Sequence, residues 1–368
     1  MEFTAGEFST FKEVLILIVL TLFALNALMF IATIVHRLYV DYRDRKYDRS
    51  YKKFRRYVEE VCGGGDLRIK PSGTVEYEAL TDVLIDFLRE TSYSAEECVL
   101  RIAEESGVIN FLRRQANSFL LNTRVTALER LGYLNDSWAE KEIRKRILES
   151  ERGWLAGRLA FAYSLLVYDL ERLKFLMDAV SKSKEMSFKY LELIWENIIT
   201  NFKRTGKVED LISYIDEELT RYKDYERVLR AMVETAGMLR ERSFAPLIEK
   251  IHDLFAEDDL MVLSTLRSLG TIESPAYCRL FLRSVSHRDW RIRAVACKYA
   301  YLCPFEVAID KLRERLADES YYVRINAGKA LASFGHCSMK VLKELAQSED
   351  RFARDTARYL LEEMRLRE

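Results

Sequence analysis

Catalysis and metal binding need particular side chains at particular spacings, and this chain holds few of either. Its histidines are His36, His252, His287 and His336, and none stands in a His-Glu-x-x-His arrangement. His336-Cys337 is half of a metal site with nothing nearby in sequence to complete it, so a solvated loop pair is expected. Cys62, Cys98, Cys278, Cys297, Cys303 and Cys337 include no Cys-x-x-Cys pair, hence neither a zinc nor a redox signature. Scattered in this way, they are expected to be free thiols in a reducing compartment. Gly63-Gly64-Gly65 lacks both the Gly-Lys-Ser/Thr ending and the Gly-x-Gly-x-x-Gly spacing of phosphate loops. No Gly-x-Ser-x-Gly nucleophile elbow occurs. Carboxylate pairs such as Glu104-Glu105 and Glu362-Glu363 fit solvated helix ends. The expectation is a protein that is not an enzyme, with no catalytic residue, cofactor or metal.

Two cationic constellations remain. The first is a run. Residues 36–56 carry nine basic residues (Arg37, Arg43, Arg45, Lys46, Arg49, Lys52, Lys53, Arg55 and Arg56) against Asp41, Asp44 and Asp48. Beside a membrane, such cations attract anionic lipid at about 1 kcal/mol each when close to the surface. Arg37, Arg43, Arg45, Lys46, Arg49, Lys52 and Lys53 are the candidate lipid contacts. The same run is a topology signal. The second constellation is a series, Arg124, Arg230, Arg293, Arg324 and Arg354, whose last three members are spaced by 31 and 30 residues. It is either a phosphate-binding row or a structural one.

The elements that must position these residues can be read from hydropathy. Val14–Val35 is 22 residues long, with Thr21, Asn26 and Thr33 its only polar members. At about 1.5 Å per residue it spans a ~30 Å hydrocarbon core. An acidic start and the lack of a small-residue cleavage site argue against a cleaved signal peptide. The basic run then places everything after it in the cytoplasm, with residues 1–13 outside. Asn26 either pairs with another helix or is simply tolerated. Tyr39, Tyr42, Tyr47, Tyr51, Phe54 and Val58 recur at helical spacing, so residues 36–61 read as a helical stalk with one packing seam. Residues 62–74, rich in Gly, read as a hinge. A chain starting near Ser72 is therefore expected to be soluble and strongly helical.

From about residue 75 the apolar period is helical throughout, which predicts an all-α fold. Three of the four prolines, Pro246, Pro275 and Pro304, are spaced by 29 and 29, each opening an amphipathic run. Leu131-Gly132, Ala236-Gly237, Leu269-Gly270 and Phe334-Gly335 read as helix C-termini. Between these markers lie Asp318-Glu-Ser-Tyr-Tyr-Val-Arg324-Ile-Asn-Ala327, Trp290-Arg-Ile-Arg293-Ala-Val-Ala296, Phe352-Ala-Arg354-Asp-Thr-Ala357, Thr123-Arg124-Val-Thr-Ala127 and, more faintly, Val228-Leu-Arg230.

These lines resemble HEAT repeats of the short variety named after phycobiliprotein lyases, most strongly over 225–368. The resemblance implies an α-solenoid over 75–368, built from antiparallel helix pairs that bury their apolar faces only by stacking. It also implies that a turn Asp and the second-helix Arg form a ladder between repeats. Asp318 and Arg324 fit, while His287 and Ser348 replace the Asp elsewhere, so an incomplete and structural ladder is expected. Trp290 among Arg288, Arg291 and Arg293 is either a binding hot spot or, on our reading, a turn packed by cation–π contact.

Charge bears on partners. Residues 57–368 carry 48 basic and 52 acidic residues, too balanced for a nucleic-acid binder. The expected function is a membrane-anchored cytoplasmic scaffold or adaptor whose concave face binds a protein. An accessory subunit of a membrane complex, such as an envelope-polysaccharide synthase, would fit. The alternatives are a structural anchor or oligomerising stalk, and less readily a lyase or isomerase of the HEAT type.

Overall fold

The structure, a computed structural model, describes residues 5–65, 70–91, 94–150, 153–182, 186–222 and 225–365. Residues 66–69 of the Gly-rich segment, the first four of the N-terminal 13 and the last three of the C-terminal repeat region lie outside these. All regular structure among the described residues is helical. The chain forms two compact units, Met1–Asp136 and Ser137–Glu368. The boundary therefore falls well beyond the glycines of 62–74.

The first unit comprises α1 (Ala5–Cys62), α2 (Thr74–Glu90), α3 (Glu96–Glu105), α4 (Val108–Ala116) and α5 (Leu121–Tyr133). Span and stalk are one helix. Its most apolar stretch has mean hydropathy 2.5 and is wholly exposed, so α1 is long and apolar enough to cross a membrane. Asn26 Nδ2 donates to the Leu22 carbonyl at 2.9 Å, and Thr33 to Met29 at 2.8 Å, so both side chains find an acceptor within the helix.

The stalk does not stand apart. Arg43 meets Glu78 at 3.5 Å, Tyr47 donates to Asp82 at 2.7 Å, Tyr51 donates to Asp86 at 2.8 Å, and Arg55 pairs with Glu90. Each rung joins residues 35 apart in sequence, and successive rungs lie one helical turn apart. A constant offset means that α1 and α2 run parallel. Phe54, Tyr57, Val58 and Val61 are buried in the seam, while Tyr39 and Tyr42 remain exposed. Burial, then the bond to Asp86, pushes the Tyr51 phenol up to about 12, so it stays protonated and donates. The segment expected to be a hinge joins two helices packed side by side.

The second unit comprises α6 (Ser137–Glu149), α7 (Gly153–Ser164), α8 (Leu170–Lys182), α9 (Phe188–Arg204), α10 (Val208–Glu217), α11 (Leu219–Tyr222) and α12 (Glu226–Met238). It continues with α13 (Ala245–Leu254), α14 (Asp259–Ile272), α15 (Cys278–Ser284), α16 (Trp290–Tyr299), α17 (Phe305–Arg315), α18 (Tyr321–Ser333), α19 (His336–Leu345) and α20 (Arg351–Arg365). One row of helices stacks in order: α7 on α9, α9 on α12, then α14, α16, α18 and α20. Each of α13, α15, α17 and α19 packs against the row helix that follows it. Small residues allow the close stacking, and Ala296, Ala327 and Ala357 are fully buried. Between successive helices of the row, Asn326 Nδ2 donates to the Ala294 carbonyl at 2.9 Å, and Trp195 Nε1 to the Val228 carbonyl at 2.9 Å.

Two glycines read as helix ends serve the stacking instead. Gly237 and Gly270 lie inside α12 and α14. A methyl added at Gly237 would come within 2.6 Å of the Ser268 Cα, and one at Gly270 within 2.2 Å of the Tyr299 ring. The left-handed residues that end those helices come three positions later, Arg240 and Glu273, with Asn135 likewise after Gly132. Gly335, at φ 60°, does take the left-handed side.

The cysteines also differ from expectation. Cys62 is bonded to Cys98 and Cys278 to Cys303, so four of the six are not free thiols. The inference from free thiols to a reducing compartment falls with them. Pairs 36 and 25 residues apart meet only because α3 returns to the end of α1 and the turn after α16 returns to α15. Cys297 is buried, and burial pushes its thiol up to about 12, which leaves it inert. Cys337 is exposed. Under native, non-reducing conditions a maleimide should label one thiol, Cys337, with Cys297 added on unfolding and the other four only on reduction. Native labelling of three or more would refute the pairing. His336 and Cys337 open helix α19 rather than sitting in a loop, and no cluster able to hold a metal exists among the described residues.

Candidate protein-interaction surface

The arginine series is built into the turns. Arg293 Nη1 donates to the carbonyls of His287 and Arg288, at 2.9 Å each. Arg324 Nη1 does the same to Asp318 and Glu319, at 2.8 and 2.9 Å. Arg354 Nη1 reaches Ser348 and Glu349, at 3.1 and 3.3 Å. In the first unit, Arg124 reaches Ser118 and Phe119, at 3.0 and 3.3 Å. Each arginine thus ties down the two carbonyls six and five residues before it, which are otherwise left open where the chain enters the helix. Arg230 lies over the Phe188 ring at 4.7 Å, and the carbonyl six residues before it is outside the described residues.

Asp318 takes a different partner from the one expected. It accepts a bidentate pair from Arg293, at 2.8 and 2.9 Å, from one repeat to the next, while Arg324 uses only its backbone carbonyl. Asp318 also accepts the Ser320 N–H at 2.9 Å. Burial alone would raise the Asp318 carboxyl, but the Arg293 guanidinium and that N–H outweigh it and hold the group below the usual range.

Because Arg324 has no carboxylate across the repeat boundary, its guanidinium lies over the Phe352 ring at 4.3 Å. This begins an exposed aromatic edge along the N-terminal ends of α16 and α18 and the first half of α20. Trp290 is 44% exposed, Tyr321 60%, Tyr322 61%, Phe352 47% and Tyr359 53%. Trp290 stacks on Tyr322 with centroids 5.5 Å apart, so its contact is aromatic rather than the cation–π contact read from its arginine neighbours. A shallow cavity of about 420 Å³ opens here, lined by Tyr321, Arg324, Arg351, Phe352, Asp355 and Tyr359. Large aromatic side chains bury about 150–250 Å² each, so this edge leaves on the order of 500 Å² of aromatic surface in water. Apolar patches of that size are the largest a typical monomer exposes and are often functional, which makes this edge the candidate surface. Tyr321, Tyr322 and Phe352 were legible only as neighbours of the repeat consensus. Their signal is that they sit beside, not on, the buried positions Val323 and Ala353.

Of the candidate lipid contacts, Arg37, Arg45, Arg49, Lys52 and Lys53 are exposed, Arg43 pairs with Glu78, and Lys46 is half-buried. They lie along one helix, so rise alone separates them. Arg37 follows the apolar stretch after His36, whereas Lys52 comes about 22 Å further on.

No family model matches the chain, and no curated protein matches it. Among solved structures it is similar to an engineered protein whose crystal structure covers 85% of this chain and 98% of its own. The identity is 16% and the TM-score 0.30, too distant to carry fold or function.

Proposed function

We propose that this protein is a membrane-anchored α-solenoid of HEAT type that binds a protein partner on the aromatic edge of its C-terminal repeats. The repeat spacing, the stacking of alternate helices and the turn-tying arginines support the solenoid reading. The observation that carries the binding reading is the row Trp290, Tyr321, Tyr322, Phe352 and Tyr359, half exposed and interleaved with Arg324 and Arg351. Trp, Tyr and Arg are the residues over-represented at interface hot spots. The adaptor role, binding rather than catalysis, follows from that edge together with a sequence that offers no catalytic constellation.

The cytoplasmic placement of the repeats is part of the same proposal. The basic excess after the apolar stretch of α1 acts during insertion and sets the side. The Cys62–Cys98 and Cys278–Cys303 bonds weigh against it, since disulfides are rare in cytosolic proteins, so the cysteine labelling above bears on the placement as well as on the pairing.

The test places a photo-crosslinking benzoylphenylalanine at Tyr322, and separately at Val307, an exposed residue of α17, in cells of the source organism. A discrete crosslinked partner is expected from Tyr322 and not from Val307, and Phe352→Ala should weaken it at least several-fold without lowering the melting temperature. Equal crosslinking at both positions, or none at Tyr322, would sink the reading.

A further inference from the structure

The most exposed large apolar side chain of the described residues lies outside that edge. Phe119 is 95% exposed and the adjacent Leu120 64%. They form the tip between α4 and α5, and the tip is held. Arg124 ties the carbonyls of Ser118 and Phe119, and the Leu120 N–H donates to Ser118 Oγ at 3.2 Å. Two apolar side chains fixed in water need a partner that takes them up.

The position of the tip within the first unit says what that partner is. Arg130 of α5 pairs with Asp82 at 2.8 Å, and Asp82 also accepts from Tyr47 of α1, so Arg130 and Tyr47 stand at one level. Further along, Arg89 meets Tyr133. In the other direction one polar groove of about 500 Å³ brings Arg43 and Tyr47 of α1 together with Gln115 of α4 and Asn122 and Thr126 of α5. Helix α5 therefore runs parallel to α1, and its start points toward the apolar stretch. Leu121 lies nine residues before Arg130, about 14 Å. The same rise back from Tyr47 along α1 ends at Leu38, and the tip lies just beyond Leu121. Phe119 and Leu120 thus lie on the side of the first unit that faces the apolar stretch of α1 and its first basic residue, Arg37. The charge agrees: Ser106–Leu128 contains no acidic residue, and although Arg113 is paired with Asp136 at 2.7 Å, Arg114 is exposed and Arg124 lies at the tip itself.

We propose that the Phe119-Leu120 tip inserts into the bilayer interface as a second anchor, with anionic headgroups attracted by the arginines around it. Aromatic and apolar side chains fixed at headgroup depth, flanked by cations, are the chemistry of an interfacial anchor. The proposal rests on the reading that α1 crosses the membrane. With α1 and the tip both engaged, the first unit could neither tilt nor turn freely about α1.

The test uses the full chain with Cys337→Ser, so that an added cysteine is the only accessible thiol. An environment-sensitive nitrobenzoxadiazole label is placed at Phe119→Cys, Leu120→Cys, Leu25→Cys in the span, or Glu60→Cys at the far end of α1. The proteins are reconstituted into vesicles of phosphatidylcholine with phosphatidylglycerol. Labels at 119 and 120 should be blue-shifted, quenched several-fold by lipids carrying a nitroxide near the headgroup, and shielded from iodide. The label at 60 should behave oppositely. A label at 119 open to iodide while the one at 25 is shielded from it would overturn the tip and leave the span standing. If neither is shielded, both fall. Shielding of 119 in native membranes but not in pure lipid would assign the tip to a protein and overturn the proposal.

Discussion

Asp318→Ala should lower the stability of the second unit by about 3–5 kcal/mol, the range for removing one partner of a buried ion pair. Its side chain is 3% exposed and that of Arg293 15%. The substitution leaves a buried guanidinium without its carboxylate and frees the Ser320 N–H at the start of α18. Arg324→Ala removes two bonds to carbonyls and should cost less, about 1–2 kcal/mol. Lys329→Ala, on the exposed side of α18, should stay within about 0.5 kcal/mol. Urea unfolding of the detergent-solubilised chain, followed by circular dichroism, reads all three. Equal effects of Asp318→Ala and Lys329→Ala would mean that the pair carries no stability. The pH dependence has a fixed sign. A carboxyl held below its ordinary value stabilises above that value, and the contribution disappears as pH falls through the lowered one. The gap between wild type and Asp318→Ala should therefore close below about pH 4.

A chain beginning at Ser72 should lose the fold of residues 72–136. It would lack Phe54, Tyr57, Val58 and Val61 from the core, four polar rungs and the Cys62–Cys98 bond. At about 1.5–3 kcal/mol for each large buried side chain, the apolar loss alone approaches the 5–15 kcal/mol that holds a whole domain together. A chain beginning at Val40 keeps every one of these contacts and sheds only the span. Limited proteolysis should cut 72–136 rapidly in the Ser72 chain, at least tenfold faster than in the Val40 chain. Similar resistance of the two would show that α1 is dispensable. This expectation reverses the one drawn from sequence, in which the glycines marked a free joint.

The reversal has a physical cause. Three glycines report backbone freedom in their own segment, and nothing in them says whether the flanking helices touch. That depends on Tyr47, Tyr51 and Arg55 meeting Asp82, Asp86 and Glu90, a match of two faces 35 residues apart. Either face alone reads as an ordinary solvated or seam-bearing helix. The tyrosine stripe was visible, its partner was not. The cysteines fail in the same way, since spacings of 36 and 25 match no local motif and only helix return brings them together. Asp318 was matched with Arg324, six residues on. Its carboxylate instead takes a bidentate pair from Arg293 of the preceding stacked helix, with Arg315 at 3.5 Å beside it, while Arg324 turns back to the carbonyls of the turn.

By itself, then, the sequence determined the helical class, the apolar stretch and its cationic flank, the register of the C-terminal repeats, and the arginine at each turn. These are local or periodic properties, written in residues a few positions apart. Tertiary structure alone decided which faces meet: the parallel pairing of α1 with α2, the partners of Asp318 and of four cysteines, the level at which Phe119 stands, and the aromatic edge left uncovered. Exposure is a property of what packs against a residue, and the first turn of α18 bears Tyr321, Tyr322 and Val323 with nothing in their order to say that only Val323 would be buried.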